Sequence, residues 1–202
     1  MGLANGLDPV RLALVTLLFI GGSSAPAAQS GTETGAHPVG APVIAIIEFG
    51  DQYLGSELYN ARITVLQIER GEKAWNIVQQ ASTANLSPKP GFEYLLARVR
   101  FEFSARTLPA HDSYNVKPVQ FTAMAPDGQE FDAPILAVSP KPSLSGTLKP
   151  GDALEGWLAF LVPQKLPKPL MVFREDVGVV SHSGGGTFFQ LYARPIGEQP
   201  RP

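Results

Sequence analysis

Two-residue alternation of apolar and polar positions runs through most of the chain and predicts strands. Over Tyr94 to Ser104, Leu95, Ala97, Val99, Phe101 and Phe103 point one way, and Leu96, Arg98, Arg100 and Glu102 point the other. One face is dry and the other mostly wet, the mark of an antiparallel sheet packed on a single side. A second strand is predicted over Ala153 to Val162. Its inward row is Leu154, Gly156, Leu158, Phe160 and Val162, opposite Glu155 and Trp157, with Pro150-Gly151 before it and Pro163 after it. Between Ala61 and Glu69 the apolar parity switches midway, which predicts a bulge. Val119 to Ala125 and Glu130 to Val138 flank the turn signal Ala125-Pro126-Asp127-Gly128 and form a hairpin candidate. Leu170 to Phe173 and Thr187 to Ala193 complete about seven strands, the count of a β-sandwich.

Glu72 to Ser82 breaks the alternation. Ala74, Ile77, Val78 and Ala81 share one helical face, and Glu72 sits where the partial positive charge of a helix start favours an anion. A short helix is expected there, covering an end of the sandwich. Gly91 and Gly151 stand where a positive φ can precede a strand. Gly156, inside one, points to a bulge or to a large neighbour, Trp75 or Phe101, lying against the backbone.

The N-terminus has the layout of a secretory signal. Arg11 precedes the apolar run Leu12 to Ile20, and Ala25-Pro26-Ala27 offers small residues at a cleavage site. The run is shorter than the roughly 20 apolar residues a membrane-spanning helix needs. Met1 to Pro9 is weakly charged and carries Asp8, so a start nearer Val10 or Arg11 would give the more ordinary signal. The expected organisation is a signal peptide over 1–27, a flexible tether over 28–42, one sandwich domain over 43–194 and a Pro-rich tail over 195–202. The expected location is outside the cytoplasm, secreted or in the cell envelope. Membrane attachment follows only if the N-terminal segment stays uncleaved.

Composition narrows the function. The chain has 202 residues, a formal net charge of -2 and no cysteine. That charge gives no broad attraction to nucleic acid. The lack of cysteine excludes disulfides, thiolate metal sites, a cysteine nucleophile and a lipid-modified cysteine.

The run Arg70-Gly71-Glu72-Lys73-Ala74-Trp75, then Pro90-Gly91-Phe92-Glu93-Tyr94-Leu95-Leu96-Ala97-Arg98-Val99, resembles a telokin-like domain of secreted bacterial proteins and lipoproteins. Asp127-Gly128, Leu148-Lys149-Pro150-Gly151 and Gly156 to Pro163 agree with it, so the resemblance spans about residues 45 to 193. It implies an immunoglobulin-like sandwich of the immunoprotective-extracellular type. It brings no assigned function, no cofactor and no catalytic residues.

Candidate chemistry is sparse. His37 lies in the expected tether, and His111-Asp112-Ser113 are sequence neighbours, whereas a triad is assembled across a fold. Ser181-His182-Ser183 runs into Gly184-Gly185-Gly186, which reads either as a ligand-cradling loop or as a glycine connection between strands. Asp51, Glu57, Asp112, Asp127, Asp152, Glu155, Glu175 and Asp176 read as solvated charge, and Asn85-Leu86-Ser87 as a loop. Trp157, Phe188 and Tyr192 face away from their inward rows, and together could form an apolar partner surface with His182, Gly184 and Gly185. A partner strand could also pair with a sheet edge.

The expectation is a non-catalytic module that recognises an unknown protein or small ligand, with no metal or cofactor. One alternative is a hydrolase-like or metal-dependent enzyme using His111, His182 and nearby carboxylates. Another is a purely structural accessory domain.

Overall fold

The computed structural model describes residues 35–51, 55–106, 113–175 and 186–192. Ten strands and one helix appear among them: β1 (Val43–Asp51), β2 (Gly55–Arg70), α1 (Glu72–Ala81), β3 (Phe92–Ala105), β4 (Tyr114–Val116), β5 (Phe121–Met124), β6 (Glu130–Phe131), β7 (Gly146–Leu148), β8 (Ala153–Pro163), β9 (Leu170–Phe173) and β10 (Thr187–Gln190). One antiparallel sheet has the order β1-β2-β3-β8 and the second β10-β9-β5-β6, with β4-β7 as a separate ribbon.

The inward rows of the two sheets meet in one core. Ile47, Ile63, Val65, Leu95, Val99 and Phe101 come from the first sheet, and Phe121, Met171, Phe173 and Phe189 from the second. The ribbon supplies Tyr114, whose ring stacks on Phe101 at 5.8 Å and on Phe103 at 5.4 Å. The arrangement is the expected immunoglobulin-like antiparallel β-sandwich.

The alternating row of β3 packs as its pattern predicts, and the parity switch in β2 is a bulge between Val65 and Gln67, with Leu66 exposed. The helix also forms where expected but covers a different surface. It lies on the outer face of the first sheet, where Ala74 and Val78 meet Tyr94 and Leu96, and it does not close the sandwich end. That contact explains the apolar Leu96 on an otherwise charged row. Trp75 stacks on Tyr94 with centroids 5.7 Å apart. Gly91 and Gly151 take the anticipated positive φ, 82° and 102°.

Other elements depart from expectation. β1 was not anticipated, because Ile44 and Ile46 on its outer side hide the two-residue period. The turn at Ala125 to Gly128 forms, closed by Ala125 N–H to the Gln129 carbonyl at 2.8 Å. Its first strand, however, starts with a 3₁₀ turn (Pro118–Gln120), and its second stops at Phe131. Pro134, Pro140 and Pro142 follow, each without a donor for a ladder.

Residues 36–37 of the expected tether are held. His37 N–H donates to the Phe188 carbonyl at 2.9 Å and its carbonyl accepts from Gln190 N–H at 2.8 Å, forming a parallel bridge beside β10. The Gln190 side-chain amide adds a bond to the Ala36 carbonyl at 3.1 Å, and Ala36 is buried.

Candidate functional site: a cleft beside strand β8

The site grows from the backbone of β8. In an antiparallel pair, successive residues turn their N–H and C=O alternately toward and away from the neighbour. Trp157 turns its pair away from β3. Its N–H donates to the Pro142 carbonyl at 2.7 Å, and its carbonyl accepts from Leu144 N–H at 3.2 Å. A short segment, 142–144, thus lies along this edge in a parallel bridge between Ser143 and Trp157.

The bridge explains Gly156. A Cβ there would stand 2.3 Å from the Ser143 carbonyl carbon and 2.4 Å from the Leu144 nitrogen. The close neighbour is therefore this crossing backbone, which corrects the expectation of Trp75 or Phe101. Glycine is required because no side chain separates the two main chains.

Beyond the bridge the edge opens into a cleft of about 370 Å³. β8 forms its floor through Trp157, Ala159 and Phe160. Val119 and Phe121 wall one side, and Pro134, Leu136 and Pro140 the other. The loop that carries the prolines is fixed by Asn85, which is buried and spends its side-chain amide on it. Asn85 Nδ2 donates to the carbonyls of Val138 and Val78, both at 2.8 Å, and Val138 N–H donates to Asn85 Oδ1 at 3.1 Å. Asn85 thereby joins the loop to the C-terminal end of α1, a role its reading as a plain loop residue missed.

Among the described residues the lining carries no ionisable side chain; its polar side-chain groups are the hydroxyls of Ser139 and Ser143 and the indole N–H of Trp157. Charge lies outside it. Arg98, opposite Trp157 on β3, pairs with Glu155 at 2.6 Å. On the helix side of the sheet, burial pushes the Tyr94 phenol above its ordinary pKa. That phenol donates to the Leu86 carbonyl at 2.9 Å.

Of the residues singled out from sequence, Trp157 lies in the cleft, half-buried. Phe188 and Tyr192 pack elsewhere, against Met124, Leu170 and Val172 on the outer face of the second sheet, so the three aromatics form no common patch. His111, His182, Gly184, Gly185, Asp112 and Asp176 lie outside the described residues. Among described carboxylates, Asp127 and Asp152 accept backbone bonds inside turns, at 3.1 and 2.8 Å, and Glu57 accepts from the Tyr59 hydroxyl. Glu175 accepts from Glu48 N–H at 2.6 Å. No three potential metal ligands cluster among the described residues, and no helix among them is long and apolar enough to cross a membrane.

An immunoglobulin-like sandwich with a lateral cleft, uncharged among its described lining residues, is the class these observations define. By sequence the chain belongs to a family described as a domain of unknown function (DUF4352), which matches residues 60–180. No protein with a curated description matches it. Among solved structures, the yjhA protein of Bacillus subtilis is similar with a TM-score of 0.48 and 15% identity, over 77% of this chain and 99% of that one. The secreted protein MPT63 of Mycobacterium tuberculosis is similar with a TM-score of 0.40 and 14% identity, over 72% and 92%.

Proposed function

We propose that the chain is an exported, telokin-like recognition module that works through the cleft beside β8 and catalyses no reaction. The carrying observation is the lining itself. A concave, largely apolar cleft of about 370 Å³ lies within the size range of small-ligand sites, and its described lining holds no side chain able to donate or take a proton near neutral pH. Such a site selects by shape and desolvation. The signal-like N-terminus, Arg11 followed by Leu12 to Ile20 and Ala25-Pro26-Ala27, supports export.

Trp157 offers a direct test. The chain has two tryptophans, so Trp75→Phe leaves Trp157 as the sole indole reporter. Titration with naphthalene, neutral and apolar, should change its emission saturably, and Val119→Arg at the cleft wall should weaken the response. An emission that naphthalene leaves unaltered would remove the binding role. Export is tested separately by N-terminal sequencing of the extracytoplasmic fraction, where the expected start is Ala28. An intact chain confined to the cytoplasm would overturn it.

A further inference from the structure

The cleft contains more than apolar side chains. Trp157 points its N–H and C=O outward, so Ala159 and Leu161, two and four residues on, point theirs the same way. Among the described residues no backbone hydrogen bond closes on that side of either residue. Their four main-chain groups form an unpaired strand edge, and at Ala159 that edge is the cleft floor.

The chain itself shows what the edge accepts. Residues 142–144 begin a parallel strand opposite Trp157, and the same register would bring the next residues opposite Ala159 and Leu161. The chain leaves instead: Ser145 N–H turns back to the Ser143 carbonyl at 2.9 Å. Two strand positions are vacated in continuation of an existing pairing, and the prolines across the cleft offer no N–H to fill them.

Resting on the cleft as the working site, we infer that its ligand is an extended, neutral, apolar peptide segment that adds as a strand along β8. Main-chain bonds at Ala159 and Leu161 hold it. Its alternate side chains reach Phe121 and Phe160 on one face, and Leu136 and Trp157 on the other. The described lining, uncharged, disfavours charged residues at the inserted positions, because it offers their desolvation no compensation.

The experiment uses the full chain and a blocked six-residue peptide of alternating Thr and Val. Binding should slow amide exchange at Ala159 and Leu161. N-methylation of alternate peptide amides, on the edge that faces β8, should weaken it by about tenfold or more, as for loss of one to two main-chain bonds. Ala159→Pro removes the outward donor while leaving the β3 ladder intact, and should weaken peptide binding similarly. Naphthalene binding without peptide binding overturns strand addition alone; failure of both removes the cleft as a site. Peptide binding that tolerates N-methylation, or that protects β1 in place of β8, also overturns the inference.

Discussion

The two edges of the first sheet are built in contrasting ways. At β8, a crossing backbone, a glycine cut to fit it and a loop secured by Asn85 surround the edge and leave a short opening. At β1 the described residues offer little such construction. Ile44 and Ile46 lie 55% and 45% exposed on its outer face, and the Glu175 carboxylate takes the outward Glu48 N–H. Unpaired edges invite further strands, and proteins restrain them by covering, shortening or charging them. Here one edge is restrained by architecture, which shapes a concavity with a defined length. Among the described residues the other carries the Glu175 carboxylate and two exposed isoleucines. Specific recognition needs the first kind.

Three substitutions sharpen this contrast. Phe101→Ala, in mid-sheet between the edges, sets the scale. Phe101 is fully buried against Tyr114 and Phe173, so the loss should be about 3–5 kcal/mol, read as a lower urea midpoint. Gly156→Ala should follow, at about 1–3 kcal/mol, since the new methyl must displace the backbone at Ser143 and Leu144. A midpoint equal to that of the unmodified chain would mean the crossing segment does not press on β8, and the two edges would be alike. Ile46→Thr should change stability by less than about 0.5 kcal/mol, since Ile46 is exposed and threonine suits a strand. A loss above about 1 kcal/mol would show that β1's outer face is covered after all.

Sequence alone made β3 legible because its two faces differ in kind, Phe and Val against Arg and Glu. β1 escaped because Ile44 and Ile46 make both of its faces apolar, and a strand without contrast has no visible period. The expected strand over Glu130 to Val138 failed after Phe131, where Pro134 shortens any ladder. Of the cleft, only Trp157 was visible in advance, through its size and its parity. The outward groups at Ala159 and Leu161 are main-chain atoms, and one-letter identity does not encode them. Gly156 signalled a close approach, but no local pattern named Ser143 as the visitor. That information lies in the topology, which brings Gly156 against Ser143, 13 positions away.

The docking of Ala36 and His37 beside β10 sets a leash length. Were the apolar run Leu12 to Ile20 to remain in a bilayer, the fifteen residues from 21 to 35 could extend at most about 54 Å. A domain so moored would survey only a thin layer next to the membrane. Cut free, it would sample the whole compartment with its β8 edge unchanged.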